Sequence, residues 1–133
     1  MTPEFLIKHG VHLFRGPAGE DKQGRMMLAM MEHMGKDTKA LILDYKAVWD
    51  DSPPGMAVLQ CPDPDTIPEI LRTVQEGVLV AIDGPQFFKF DKPHYELPVG
   101  ATTRVMGEAL KVAKERGIKV FATWTDGLEE ERG

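Results

Sequence analysis

Gly16 to Arg25, reading GPAGEDKQGR, holds the residue types that bind phosphate. Gly16 and Gly19 free the backbone to turn its N–H groups toward one point. Lys22 adds a positive charge, and Arg25 adds another one turn further on. An apolar run, Val11–Phe14, precedes the stretch, and a methionine-rich helical pattern follows it. Strand, glycine turn and helix N-terminus together favour a bound anion. The standard spacing G-x-x-x-x-G-K-[ST], laid over Gly16, puts Lys22 at the lysine position. Two working parts differ. Asp21 stands where the second glycine belongs, bringing a negative charge into an anion nest at a cost of about 1–4 kcal/mol. Gln23 replaces the hydroxyl that would hold magnesium, and an amide is a poor ligand for a hard octahedral cation. Gly16, Gly19, Lys22, Gln23 and Arg25 are the candidate nucleotide contacts. Lys22 reads either as a phosphate ligand or as a lysine exposed on a surface turn.

Two further stretches carry chemistry. Val78–Ile82, VLVAI, ends in Asp83. A carboxylate closing an apolar strand downstream of a phosphate loop is placed to hold magnesium, usually through water; alternatively it bonds the N–H groups of the following loop. In that loop Phe87, Phe88, Phe90 and Tyr95 alternate with Lys89, Lys92 and His94. Rings for base stacking and cations for a backbone suit a single-stranded nucleic acid. The competing reading tucks Phe87 and Phe88 under the sheet. Trp49, in a polar loop, is a candidate interaction anchor, and Trp124 reads as core. Cys61 reads as a small buried residue, and the four histidines show no metal-ligand spacing.

These residues need a scaffold, and the chain alternates strand and helix patterns. Phe5–Ile7 reads as a lead-in, an edge strand. Val11–Phe14 is a core strand. Gln23–His33 is a helix stopped by Gly35, with its methionines either packing the core or forming an adaptable partner-binding face. Strands are expected over Lys39–Tyr45, Met56–Gln60, Val78–Ile82 and Lys119–Thr125. Helices are expected over Ile67–Gln75, with Thr66 and Glu69 as a capping box, and over Thr102–Arg116. Gly84–Gly100 reads as a long irregular connection. The pattern predicts an α/β fold, three-layer α/β/α, around a mostly parallel sheet of about five strands. In such sheets ligands sit at the carboxyl ends of the strands. That edge gathers the Gly16 loop, the residues after Tyr45, Asp83 with its loop, and Thr125–Asp126.

Length and composition narrow the class. The 133 residues predict one domain, with 128–133 as an acidic flexible tail. A net charge of −5 argues against general nucleic-acid binding, though not against a local basic patch. The single cysteine allows no internal disulfide and suits a reducing compartment. No signal peptide and no membrane-spanning run is read, so the expected location is cytoplasmic.

The segment VLVAIDGPQFF resembles the strand and turn of thymidine kinases of the P-loop class, whose motif reads Asp-Glu-x-Gln-Phe-Phe. Asp83, Gln86, Phe87 and Phe88 match it in place. GIKVFATWTDG is similar to that family's next strand, with Asp126 and Gly127 matching, and the likeness runs from about Val11 to Gly127. The resemblance implies a P-loop NTPase-like fold, with GPAGEDKQ as a degenerate phosphate loop and ATP with magnesium as cofactors. The glutamate it implies as catalytic base falls at Gly84. The family's zinc cysteines are absent, and so is the segment that closes over the base. The expectation is a degenerate P-loop protein that binds a protein partner or a nucleotide without efficient turnover. The alternatives are a kinase or NTPase with an altered site, using Lys22, Asp83 and Asp44 or Asp126, and a single-stranded nucleic-acid module. A methionine face would also suit a homodimer.

Overall fold

The structure, a computed structural model, describes residues 1–36 and 38–128. The acidic segment 129–133 lies outside the described residues. Five strands form one sheet: β1 (His12–Pro17), β2 (Ala40–Asp44), β3 (Met56–Gln60), β4 (Leu79–Asp83) and β5 (Val120–Asp126). The helices are α1 (Pro3–Lys8), α2 (Lys22–His33), α3 (Ile67–Thr73) and α4 (Ala101–Arg116). Every pairing is parallel and the strand order is β1-β5-β4-β2-β3, with helices on both faces. This is the expected α/β architecture. β5 lies between the strand that feeds the glycine loop and the strand that ends in Asp83.

The period of two along each strand sorts side chains between two cores. Leu43, Tyr45, Val80, Ile82, Val120, Ala122 and Trp124 pack on one face with α1, α3 and α4. Ala40, Ile42, Leu79, Ala81 and Phe121 pack on the other with Met26 and Met30 of α2 and with Trp49. The same parity carries Asp44, Asp83 and Thr123 to the α2 face at the carboxyl ends of β2, β4 and β5. The methionine pattern therefore divides. Met26 and Met30 are core, whereas Leu28 and Met31 are 61% and 53% exposed.

Several local expectations are corrected. Phe5–Ile7 is helical, because Thr2 accepts the N–H of Phe5 on its hydroxyl at 3.1 Å and Pro3 suits the first turn. β1 runs on to Pro17, because Gly16 and Pro17 pair with Thr125 and Asp126 of β5. The Thr66 and Glu69 capping box does not form. The Thr66 hydroxyl instead donates to the carbonyl of Asp63 at 2.6 Å, closing a 3₁₀ turn over Pro64–Thr66. α3 stops at Thr73, since Val74 is already extended. The connection 84–100 contains two 3₁₀ turns, Pro85–Phe87 and His94–Glu96. No helix among the described residues is long and apolar enough to cross a membrane.

Candidate functional site

With Gly16 and Pro17 inside β1, the glycine loop shrinks to four residues, 18–21, and Gly19 turns it at a φ of +92°. Lys22 opens α2. Its side chain folds back so that Nζ donates to the carbonyl of Pro17 at 2.9 Å, and the residue is only 2% exposed. The exposed-lysine reading is thereby corrected. An ammonium carries three donors. Here one protein acceptor is met, and no carboxylate lies within 4.0 Å among the described residues.

Two acids occupy the loop. Asp21 caps α2, accepting the N–H of Gly24 on Oδ1 at 2.8 Å. Its carboxylate lies so close to Gly24 that a Cβ there would overlap it. Glu20 does the same at Gly16, its carboxylate resting where a side chain would project. Arg25 reaches Glu20 at 3.5 Å and donates to the carbonyl of Arg15 at 3.0 Å. Both glycines are thus spaces filled by the chain's own carboxylates. Gln23 is half-buried beside them. An open groove of about 560 Å³, lined by Glu20, Asp21, Gly24, Arg25, Met27 and Leu28, runs along the outside of the loop.

At the ends of β2 and β4, Asp44 and Asp83 stand side by side in register, both fully buried. Asp44 accepts the backbone N–H groups of Lys46 at 3.1 Å and Trp49 at 3.0 Å, which folds the 45–49 loop back over the sheet. The Trp49 indole N–H then donates to Asp83 Oδ2 at 2.7 Å. The Thr123 hydroxyl donates to Asp83 Oδ1 at 2.6 Å and accepts the N–H of Gly84 at 3.0 Å. Trp49, read from sequence as a surface anchor, is therefore a buried plug over Asp83. Gly84 turns the chain at a φ of +81°, and a Cβ there would crowd Lys46 Cγ at 2.5 Å and Phe87 Cδ2 at 2.9 Å. Among the described residues no group of three His, Cys, Asp or Glu side chains stands close enough to hold a metal ion.

Gln86 clasps the backbone of Thr125, donating to its carbonyl at 2.9 Å and accepting its N–H at 2.7 Å. This clasp extends the pairing of β4 and β5 beyond the strand end. Beside it Arg15 bridges β1 to β5 through Asp126 at 2.8 Å. Phe87 and Phe88 pack against the larger core, and Phe88 meets Tyr45 edge-on at 4.7 Å. Phe90 is half-buried, and the N–H of Asp91 is held by Asp63 Oδ2 at 2.8 Å. Of the loop's interleaved set, Lys89, Lys92 and Tyr95 face outward, Tyr95 at 84% exposure. Tyr45 brings an unforeseen feature: its hydroxyl is buried without a hydrogen-bond partner among the described residues. Burial, and then the nearby Asp63 and Cys61, push its ionisation above the ordinary 10.0 of a phenol. Cys61, expected to be buried, is exposed and sits at a positive φ of 43°.

The carboxyl edge thus gathers the glycine loop, Asp44, Asp83 and Asp126, as the topology required. Besides the Tyr45 hydroxyl, two features escaped the sequence: the plugging of Asp83 by Trp49, and the folding of Glu20 and Asp21 into the loop. The second left a trace, since Asp21-x-x-Gly24 has the spacing of a capping residue and the N–H it caps. No protein-family model matches this chain, and no curated protein matches it. Fold and site together define an α/β protein with a parallel sheet, compatible with a P-loop-like fold.

Proposed function

We propose that the protein is a P-loop-like binding protein, akin to the thymidine-kinase branch, that engages a protein partner or a nucleotide without efficient phosphoryl transfer. The observation that carries this reading is the folding of the Glu20 and Asp21 carboxylates against Gly16 and Gly24. They take the space and the N–H group that a phosphate would use. Lys22 supports a residual preference for an anion, because its buried ammonium bonds one carbonyl and, among the described residues, has no carboxylate within 4.0 Å. Asp83 would be the residue nearest in kind to a magnesium ligand, yet both its oxygens already accept hydrogen bonds. A base at position 84 is also missing. Leu28 and Met31 on the outer side of α2, next to the groove at Asp21, offer apolar area to a protein partner. A single cysteine suits a cytoplasmic setting.

The test is calorimetric titration with ATP and magnesium, run beside a phosphate-release assay. The reading expects weak binding or none, and no turnover. Turnover by the wild-type protein that disappears in Lys22→Ala and Asp83→Asn would overturn it in favour of a working phosphotransferase.

A further inference from the structure

The opposite end of the sheet holds a second concavity. There the amino ends of β1 and β5 meet the end of α1 and one face of α4 around a cavity of about 650 Å³. That volume is in the range of small-ligand pockets. Lys8, His9, His12, Lys111, Lys114 and Lys119 line it, and among the described residues no Asp or Glu does; the His12 ring and the Lys119 ammonium lean to the α2 side, onto Phe121 and His33, which leaves Lys8, Lys111 and Lys114 as its cationic rim. In a chain with 21 acidic and 16 basic residues, this is a local reversal of charge. Among the described residues none of the four lysines has a carboxylate within 4.0 Å. Lys119 Nζ meets a histidine instead, His33 Nδ1 at 3.2 Å. The ammonium groups of Lys8, Lys111 and Lys114, without counter-charge, repel one another, and a dianion entering between them relieves that repulsion.

The cavity is not a bare cluster of surface charges, because it has an apolar floor. Leu110, Ala113, Ile118 and Val120 form it, and all but Ile118 are buried. Along α4, Gly107, Leu110, Lys111 and Lys114 follow the i, i+3, i+4, i+7 spacing of one helix face. Gly10, at a φ of +87°, turns the chain sharply out of α1 and adds no side chain of its own. An apolar floor under a cationic rim matches a ligand that is anionic at one end and flat and apolar at the other.

We propose that this cavity binds a small organic phosphate carrying a flat ring, with a nucleoside monophosphate as the simplest form. The phosphate sits among Lys8, Lys111 and Lys114, and the ring lies over Leu110 and Ile118. The site is a strand length, about 20 Å, from the glycine loop, so it stands or falls independently of the function proposed above.

The experiment is an amide-resolved NMR titration of the whole chain with adenosine 5′-monophosphate, paired with calorimetry. Adenosine and inorganic pyrophosphate are run as separate arms. Expected are shifts at Gly10, Gly107, Lys114 and Lys119, weaker binding of both partial probes, and loss of affinity as salt rises from about 20 to about 200 mM. Lys111→Gln with Lys114→Gln, both exposed and remote from the core, should leave the melting curve unchanged and weaken the monophosphate about tenfold or more. The proposal is overturned by no shifts at millimolar ligand, by shifts confined to Gly19 and Gly24, or by unchanged affinity in the folded double variant. Adenosine binding as tightly as the monophosphate would remove the cationic half of the argument, and pyrophosphate doing so would remove the apolar half.

Discussion

Asp21→Asn separates charge from structure in the glycine loop. In the native protein Asp21 Oδ1 accepts the N–H of Gly24 at 2.8 Å, and asparagine can keep that bond. What the substitution removes is the negative charge. A phosphate held at the α2 N-terminus would lie about 5 Å from that charge, and the repulsion amounts to about 1–3 kcal/mol per unit charge for an effective dielectric of 80 down to 20. The low end applies if water screens the loop mouth, where both acids are exposed. Removing it should tighten ATP about 5–150-fold. Stability should fall by about 0.3–1 kcal/mol, the favourable interaction of an anion with the helix dipole. Asp21→Ala removes the charge and the cap together, so it should gain affinity but lose about 1 kcal/mol of stability. Glu20→Gln removes the second charge, over Gly16, at nearly unchanged volume. Calorimetry with ATP and magnesium, with urea unfolding alongside, reads both quantities. If Asp21→Asn, Glu20→Gln and their combination all stay folded and bind ATP no better than wild type, the negative charge of these side chains is not what closes this loop.

Three further outcomes follow from the buried polar groups. Trp49→Phe removes the indole donor from a fully buried carboxylate, at 2.7 Å in the native protein, and should cost about 2–3 kcal/mol, a melting-temperature drop of about 6–12 °C; a drop no larger than that of an exposed control would mean that Asp83 does not depend on the plug. Gly84→Ala places a Cβ against Lys46 and Phe87 at a φ of +81°, and urea unfolding should register a loss of about 2–4 kcal/mol, with wild-type stability counting against the crowding described. Tyr45→Phe deletes an unpartnered hydroxyl and should be neutral or stabilising by up to about 1 kcal/mol. Its pH dependence has a definite sign. The native phenol keeps its proton above the ordinary value of 10.0 while the unfolded chain releases it there, so stability is intact below that pH and falls above it by up to about 1.4 kcal/mol per unit. Urea unfolding at about pH 9 and about pH 11 should show that loss in the wild type and not in Tyr45→Phe.

The scaffold was legible where one physical signal dominated. VLVAI is apolar without a break because β4 is buried on both faces, and that is how a central parallel strand reads. The alternation of strands and helices gave the parallel sheet for the same reason. Misreadings cluster where a boundary depends on a distant partner. β1 gains Gly16 and Pro17 only because Thr125 and Asp126 lie alongside, and no pattern within residues 11–17 reports that. Thr66 had the spacing of a capping box, but the carbonyl of Asp63 was nearer to its hydroxyl. The α1 helix is a different case. Thr2-Pro3-Glu4 carries a capping residue, a first-turn proline and an acid in order, and the short apolar run behind it outweighed them.

Parity decides what the candidate site can do. Asp44 and Asp83 were visible as strand-end residues and Thr123 was not singled out; a strand's two-residue period sends all three to the α2 face, where Trp49 bonds Asp44 and Asp83 and Thr123 bonds Asp83. That period can be read from sequence; the 45–49 turn that delivers the indole cannot, since Asp44 shapes it by accepting two backbone N–H groups. The glycine loop differs in kind. Read against a template, Asp21 is one substitution in a nest. In three dimensions Glu20 pairs with Arg25 and Asp21 caps α2, and the formal charge of 20–25 is zero before any ligand arrives. A phosphate-binding loop works by an excess of positive potential at the helix N-terminus. Here the potential is already neutralised by side chains seated over Gly16 and Gly24, so a nucleotide must displace an internal anion and not merely occupy a prepared one. Restoring a glycine at position 21 would remove the competing charge but also the cap. The asparagine variant, which keeps the cap, is the one whose affinity reports on charge alone.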